Sequence, residues 1–360
     1  MATPTISTPN MPPVPSTMRA WQYTSTTPTL ESNLTLRTSL PLPTLSSSDP
    51  SHRLLIRVIS ASLNPIDYKK PEIPLFGRFL IPRPAIPGSD FCGRIVRLSS
   101  PDITAFHIND LVFGRLDPTT NGTLAEYIAA PVTACAVLPP GVPPSLAAAM
   151  PTAGLTEYKA MQGAKLKSGD KVVINGGAGG TGTMGIQIAK AMGCHVTTSC
   201  STGKVELCKR MGADEVVDYT KEDVVSVLEG QGRVFSVVVD NVGGMGGGLY
   251  RNAGRFLEPG GRFVQVGLPS GVKGVLVLVG RMVLSMWRLS GFGGGDGKFR
   301  MFDIKGVGEE LVTLGEWMAE GRAKPHVEMM YEFERAPEAF AKLREGHCEG
   351  KLVVRVGDED

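Results

Sequence analysis

A glycine-rich turn near the middle of the chain constrains the fold more than any other feature of the sequence. The apolar segment Lys171–Asn175 runs directly into NGGAGGTGTMGIQIAK, in which Gly177, Gly179 and Gly182 satisfy G-x-G-x-x-G. In such a turn the first glycine permits the reversal, the second lets the backbone approach a pyrophosphate, and the third lets helix and strand pack closely. The helix N-terminus then presents free N–H groups and a partial positive charge to the anion. The motif therefore predicts a dinucleotide site.

The chain around this turn alternates short apolar runs with segments long enough for helices. Strands are predicted at residues 171–175, 195–200, 215–219, 234–241 and 261–267, and helices at 146–161, 183–192, 204–211 and 223–229. Strands that are apolar along most of their length and are separated by helices form parallel sheets covered on both faces. This part of the sequence predicts a doubly wound α/β domain.

The first 145 residues have a different character, with strand-like runs such as residues 53–60 and 93–98 between turns. The whole chain of 360 residues holds 44 glycines and 27 prolines, against roughly 12% for the two together in average proteins. That excess indicates many tight turns and argues against long helical bundles. A chain of this length also exceeds one compact core, so two domains are expected.

The net charge and the cysteines indicate which partners and which cellular location are expected for the protein. With 37 basic and 35 acidic residues the net charge is +2, which gives no field that favours nucleic acid or an anionic membrane as the main partner. The six cysteines include no CxxC pair, so a reduced, cytoplasmic location is expected. Residues 1–17 carry no charged side chain and are expected to be a disordered leader rather than a targeting signal. The apolar stretch 275–287 is interrupted by Gly280 and Arg281 and is shorter than the ~20 residues of a membrane span.

The end of the second predicted strand bears on the choice of dinucleotide. Sites for NAD place an acidic residue there for the ribose 2′-hydroxyl, whereas this chain reads TTSCSTGK with no carboxylate before Glu206. The hydroxyl of Ser201 and the ammonium of Lys204 suit a 2′-phosphate, which a carboxylate would repel. The same residues could instead only cap and begin the next helix. The pattern favours NADPH.

Metal ligands are sparse in the sequence. Structural zinc usually requires four closely spaced thiolates, and no such group is present. Only two of the five histidines, His52 and His107, lie in the N-terminal half, and their spacing is not that of metal ligands. Cys92 is expected to be a small buried side chain. The sequence predicts a protein without a metal site.

Several motifs resemble the medium-chain dehydrogenase/reductase superfamily, in its zinc-independent branch of quinone oxidoreductases and enoyl reductases. They are SLNPIDYKK (62–70), PGSDFCGRIV (87–96), NGTLAEY (121–127), MPTAGLTEY (150–158), CSTGKVELCKRMGADEVVDY (200–219), DNVGG (240–244) and GHCEGKLVV (346–354). With the glycine turn they extend over nearly all of residues 18–356, and the chain is similar to reticulon-interacting quinone-oxidoreductase-like proteins and fungal trans-enoyl reductases. Zinc-dependent relatives carry Gly-His-Glu where this chain has Gly88-Ser89-Asp90.

The resemblance implies an α/β protein of two domains. Residues 18–145 and 300–360 would form a GroES-like, partly open β-barrel that carries the catalytic site, and residues 146–299 a doubly wound NADP-binding (Rossmann) domain. The cofactor contacts implied by position are Ala178, Gly179, Gly180, Thr181 and Gly182 at the pyrophosphate, Ser201 and Lys204 at the 2′-phosphate, Tyr219 near the adenine, and Asn241 and Gly267 along the nicotinamide half. Asn64 and Lys69 fall in an element that lines the active site, although Asn64-Pro65 is also an ordinary turn dipeptide.

The chemistry expected of such a site is hydride transfer, in which the nicotinamide reacts and the protein positions it. Reducing a simple aldehyde builds an alkoxide, which usually requires a Lewis acid, whereas a conjugated enone or a quinone spreads the charge over an enolate or phenolate. The sequence thus favours hydride delivery from NADPH to a small-molecule enone or quinone, with the proton from solvent or from a hydroxyl such as that of Tyr68. A zinc-type alcohol dehydrogenase with displaced ligands and an NADPH-binding sensor without turnover remain alternatives. A homodimer could form by edge pairing of residues 274–279.

Overall fold

Two large β-sheets organise the computed structural model, which describes residues 14–45, 53–73, 76–243, 248–267, 298–300 and 307–358. Three segments singled out in the sequence lie outside the described residues. They are the first part of the predicted leader, 1–13, the apolar stretch 275–287, and the predicted dimer strand 274–279. A glycine-rich segment, residues 291–297, also lies outside them.

The secondary structure follows the change of character seen in the sequence. The strands are β1 (Thr17–Gln22), β2 (Thr35–Pro41), β3 (Arg53–Leu63), β4 (Asp90–Leu98), β5 (Leu111–Arg115), β6 (Tyr127–Pro131), β7 (Cys135–Val137), β8 (Lys171–Asn175), β9 (His195–Cys200), β10 (Glu215–Asp218), β11 (Phe235–Asp240), β12 (Leu257–Gln265), β13 (Lys298–Arg300), β14 (Val327–Glu332) and β15 (Lys351–Arg355). The helices are α1 (Pro65–Lys69), α2 (Phe76–Leu80), α3 (Pro144–Ala149), α4 (Pro151–Gln162), α5 (Gly180–Ala191), α6 (Val205–Arg210), α7 (Val224–Gly230), α8 (Gly248–Arg251), α9 (Gly308–Ala319) and α10 (Ala336–Arg344).

The first large sheet has the order β14-β15-β3-β4-β5-β7, and β6 also pairs with β3. Its pairings are antiparallel except that of β14 with β15. The register of β15 on β3 sets Leu352 opposite Leu63. The end of the chain therefore returns to the sheet that the N-terminal residues build.

The second large sheet is parallel throughout and has the order β10-β9-β8-β11-β12-β13. All six residues of β11 are buried, as are the three central residues of β8. Burial on both faces is what the continuous apolar runs predict. The expected combination of a barrel-type sheet and a doubly wound domain is confirmed.

One predicted helix, residues 146–161, is two helices in the structure. α3 ends at Ala149, and α4 begins at Pro151. Proline lacks an N–H group and clashes with the preceding turn, so it is tolerated in the first turn of a helix but interrupts a longer one. None of the helices in the described ranges is long and apolar enough to cross a bilayer.

The two sheets are joined by a shared apolar cluster. Cys92 and Phe113, on β4 and β5, are buried together with Met150 between α3 and α4 and with Leu314 on α9. This cluster excludes water from the contact between the barrel strands and the doubly wound domain, and burial of apolar surface is the main favourable contribution to such packing. The contact between the two units is therefore a packed apolar core.

Candidate coenzyme and substrate site

The glycine turn joins the end of β8 to the start of α5. Gly176 has φ of +81°, in the left-handed region that favours glycine. A Cβ on Gly182 would overlap the carbonyl oxygen of Gly176, and a Cβ on Gly177 would overlap the hydroxyl of Thr198 on β9. Close packing therefore requires both glycines. The predicted pyrophosphate residues occupy this turn and the first turn of α5, whose leading N–H groups have no partner within the helix: Gly177, Ala178, Gly179, Gly180, Thr181 and Gly182.

The segment that leads into β15 lies directly on this turn. The backbone N–H of Gly350 donates to the carbonyl of Ala178 at 2.9 Å, and Gly350 forms a parallel bridge with Gly179. A Cβ on Gly180 would lie 2.7 Å from Cδ of Lys351. The C-terminal strand of the barrel and the glycine turn thus hold each other in place.

The crevice opens where β8 and β11 lie side by side while the strand order leads away from them in opposite directions. Open α/β sheets bind ligands at this point, beyond the carboxyl ends of the strands. Here Asn175 Nδ2 donates to Asp240 Oδ1 at 2.7 Å, and the same oxygen accepts the N–H groups of Val242 and Gly243, each at 3.1 Å. Gly243 has φ of +66° and lies against Gly267 so closely that a Cβ there would overlap the Gly267 carbonyl. The turn after β11 is therefore held tightly.

Asn241 lies in this turn, where sequence reasoning expects the nicotinamide half of the coenzyme. Its backbone N–H donates to the Asn175 carbonyl at 3.2 Å. Both polar atoms of its side-chain amide are buried, and neither has a hydrogen-bond partner within the described part of the chain. The amide approaches the carboxyl of Glu157 on α4, a residue that was not selected from the sequence, although it lies in the MPTAGLTEY motif.

The opposite end of the crevice brings together the residues predicted for the 2′-phosphate and the adenine. Ser201 is the first residue after β9, and Lys204 ends the short turn that follows. The Lys204 ammonium donates to the carbonyl oxygen of His347 at 2.6 Å. Tyr219 follows β10, and its 55% exposure leaves the ring accessible for stacking. These residues share the carboxyl edge of the sheet.

A carboxylate that sequence reasoning overlooked lies at the same end. Asp218, the last residue of β10, accepts hydrogen bonds from the hydroxyls of Thr202 at 2.5 Å and Thr220 at 2.6 Å. The Lys221 ammonium lies 3.3 Å from the same side chain. These donors, above all Thr202, hold the pKa of Asp218 well below its usual range. Its position at the carboxyl end of a parallel strand was the available signal.

On the barrel side, Asn64 lies between β3 and α1, at the N-cap of the helix. Its backbone N–H donates to Asp67 Oδ2 at 2.8 Å, which caps the short helix. Its side-chain Nδ2 donates to Asp90 Oδ2 at 2.8 Å, and its Oδ1 accepts from the Lys351 ammonium. The Asn64 amide is therefore fixed between a carboxylate and an ammonium.

Lys351 is the buried cation at the centre of this network and was not selected from the sequence, although it lies in the GHCEGKLVV motif. Its Nζ donates to the carbonyl of Leu63 at 3.1 Å and lies 3.6 Å from Asp90 Oδ2. Asp90 also accepts from the hydroxyl of Thr152, in the first turn of α4, at 2.6 Å. Burial lowers the pKa of Lys351, and the Asp90 carboxylate opposes that shift. The network links β3, β4 and β15 of the barrel to the doubly wound domain.

A second carboxyl in the network is easier to protonate than an exposed one. Burial raises the pKa of Asp67 to about 7, and the hydrogen bond that it accepts from the Ser89 hydroxyl works against the rise. The nearby charge of Asp90 adds to the rise. Near neutral pH the Asp67 carboxyl is therefore protonated in a large fraction of the molecules.

The other two residues predicted for the catalytic side lie on α1. The guanidinium of Arg344 lies 4.3 Å from the ring centroid of Tyr68 and pairs with Glu31 at 2.7 Å and Glu72 at 2.5 Å. Burial raises the pKa of Tyr68 and lowers that of Lys69, the last residue of the helix. The structure thus joins Asn64 to the buried network and packs Tyr68 beneath an ion-pair cluster on α10.

The donor set at this centre does not fit zinc. The described residues contain no group of three or more His, Cys, Asp or Glu side chains that could hold a metal ion. Asp90 is already compensated by the Lys351 ammonium. The Cys92 side chain belongs to the apolar cluster shared by the two sheets, as expected for a small buried residue.

Comparison with known proteins gives consistent matches along the chain. The family model described as "Alcohol dehydrogenase GroES-like domain" matches residues 50–140, and the one described as "Zinc-binding dehydrogenase" matches residues 211–354. The chain is 42% identical to the trans-enoyl reductase pgmF of Aspergillus terreus, over 96% of this chain and 98% of the relative. It is 30% identical to the 2-methylene-furan-3-one reductase of Solanum lycopersicum, over 95% of this chain and 80% of the relative. Among solved structures, the quinone oxidoreductase from Coxiella burnetii superposes with a TM-score of 0.77 at 29% identity, over 94% of this chain and 99% of that one.

Proposed function

This chain belongs to the medium-chain dehydrogenase/reductase superfamily, in its branch of enoyl and quinone reductases, and on that basis we propose that it is an NADPH-dependent reductase of activated carbon–carbon double bonds or of quinones. The two relatives reported above are named as reductases, one of them of enoyl groups, and the structural neighbour is named as a quinone oxidoreductase. An electron-poor acceptor is what these three names share.

The described residues fit a dinucleotide along the crevice. A bound NADPH supplies the hydride. The glycine turn and the first turn of α5 would hold its pyrophosphate, because the glycines leave room for close backbone approach and the helix start offers N–H groups. Ser201 and Lys204 would take the 2′-phosphate, and Tyr219 would stack on the adenine. Gly267 and the turn after β11 would lie along the nicotinamide half.

The observation that carries the proposal is that two adjacent residues at the start of β15 contact the two sides of the crevice. Gly350 donates to the glycine turn, and the next residue, Lys351, holds the amide of Asn64. The pyrophosphate side and the barrel side of the crevice are therefore in fixed mutual position. Hydride transfer depends above all on such positioning, since the coenzyme carries the reactive group.

The charge that the acceptor gains would be stabilised by the protein's own groups. A conjugated carbonyl or a quinone spreads that charge over an enolate or phenolate, for which a few fixed dipoles and a nearby cation suffice. The buried ammonium of Lys351 would be that cation, and it would act through its field, because its donors bond to Leu63 and Asn64. Solvent would supply the proton, because the ring of Tyr68 packs beneath Arg344.

The test is NADPH oxidation by the purified protein over a panel of enones, quinones, saturated aldehydes and alcohols. We expect turnover with enones or quinones, a lower rate with NADH, and no change after dialysis against a chelator. Activity only on plain aldehydes or alcohols, lost with chelator and restored by zinc, would reject the proposal for a zinc-type dehydrogenase. Tight NADPH binding with no acceptor reduced would reject it for a binding protein without turnover.

A further inference from the structure

Glu157 is a buried carboxyl in apolar surroundings beneath the coenzyme crevice. It is 0% exposed, and neither carboxyl oxygen has a hydrogen-bond partner among the described residues. The carboxyl rests on the backbone of α5, where a Cβ on Gly185 would lie 2.5 Å from Oε2. A polar group buried in this way is costly unless it is neutral and finds a partner.

The polar group that approaches Glu157 is the side-chain amide of Asn241. That amide is itself buried and lacks a partner among the described residues, and its approach favours the ionised form of Glu157. The polar atoms of both side chains thus have no other partner in the described part of the chain. A hydrogen bond from the acid hydrogen of Glu157 to the Asn241 carbonyl oxygen would satisfy a polar atom of each side chain.

The charge state of Glu157 follows from burial. Burial raises the pKa of Glu157 to about 8, which outweighs the opposing effect of Asn241. Three charged groups on the packed elements have other partners. Lys159 on α4 pairs with Glu310 on α9 at 3.2 Å, Lys190 on α5 pairs with Asp214 at 2.8 Å, and Asp240 on β11 accepts from Asn175 at 2.7 Å. Glu157 is therefore mostly neutral at pH 7.

We propose that Glu157 is a positioning residue which, as a neutral carboxylic acid, fixes the Asn241 amide and with it the turn that lines the nicotinamide end of the crevice. Asn241 directly precedes Val242 and Gly243, whose N–H groups bind Asp240. Ionisation of Glu157 places an uncompensated charge beneath this turn and loosens it. The kinetic part of the inference rests on the proposed reduction, and the stability part does not.

The kinetic test compares the wild type with Glu157→Gln over pH 6 to 10. The glutamine has nearly the same shape but cannot ionise. We expect the KM of the wild type for NADPH to rise roughly tenfold above pH 8 relative to its value at pH 7. The KM of Glu157→Gln should change little over the same pH range. Glu310→Gln, which alters a carboxylate on the neighbouring helix, should follow the wild-type profile. Identical profiles of Glu157→Gln and wild type would overturn the proposal.

Thermal unfolding provides a readout that does not depend on turnover. A carboxyl with a raised folded-state pKa binds more protons in the folded than in the unfolded state, so its contribution to stability is lost as pH rises between its usual value of 4.5 and about 8. The melting temperature of Glu157→Gln should therefore gain on that of the wild type from pH 5 to pH 9. A difference that is constant with pH would contradict the neutral buried acid, even if no acceptor is found.

The link to Asn241 is tested by a double-mutant cycle on coenzyme affinity. Glu157→Ala and Asn241→Ala should each weaken NADPH binding by roughly five- to tenfold, and the double variant should be no weaker than the worse single variant. Additive losses would show that Glu157 does not act through Asn241.

Discussion

Replacing Lys351 by methionine should destabilise the fold and weaken coenzyme binding together. The methionine side chain has a similar length, so little cavity is created. What is lost is the ammonium, which now donates to Leu63 and Asn64 and compensates Asp90. Asp90 is fully buried, and Lys351 is nearly so.

The size of the effect follows from the charge left behind. Removing one partner of a buried ion pair typically costs about 3–5 kcal/mol, because the remaining charge has no compensation in a medium of low polarity. Adding Asp90→Asn to Lys351→Met removes that orphan charge and should recover roughly 2 kcal/mol. Lys342→Met is the matched control, since its ammonium pairs with Glu345 at the protein surface, and it should change stability very little.

Urea unfolding followed by circular dichroism measures the stability, and fluorescence titration with NADPH measures the affinity. We expect the Kd for NADPH to rise at least about tenfold in Lys351→Met, because β15 positions the glycine turn through Gly350. A Lys351→Met variant within about 1 kcal/mol of the wild type would refute the reasoning. So would a double variant that is less stable than Lys351→Met alone.

Three further predictions concern single elements of the site. Replacing Ser201 and Lys204 with alanine should raise the Kd for NADPH at least about tenfold more than that for NADH, and equal losses in titrations with both would contradict the 2′-phosphate assignment. Gly182→Ala should raise the Kd for NADPH by more than about tenfold, because its Cβ would overlap the Gly176 carbonyl; unchanged binding by a folded variant would argue against a role of the turn. Tyr68→Phe should leave kcat within about twofold, because the ring packs beneath Arg344; a tenfold or larger fall at saturating substrate would instead identify Tyr68 as the proton donor.

The doubly wound half could be predicted closely from local sequence, and the reason is physical. A strand buried on both faces must be apolar at nearly every position, so β8 and β9 occupy the same residues in the sequence prediction and in the structure. The position of Gly182 in the turn could also be predicted, because only glycine fits beneath the turn. The break between α3 and α4 was missed because the residues on both sides of Pro151 favour a helix. Local propensity alone does not decide whether a proline ends one helix or begins the next.

The buried network escaped prediction because its members are far apart in sequence. Asn64 and Lys351 are separated by 287 positions, Asn64 and Asp90 by 26, and Asp90 and Thr152 by 62. Each looks ordinary in its own segment: an asparagine before proline, a lysine before an apolar strand, an aspartate at the start of another. Their contact depends on the register that sets Leu352 opposite Leu63, and a shift of one residue would turn Lys351 to the other face of the sheet. The same register places Gly350 on the glycine turn. The pairing of β3 with β15 therefore aligns both the glycine turn and the Lys351 ammonium. The geometry of the crevice depends on this register rather than on any one side chain.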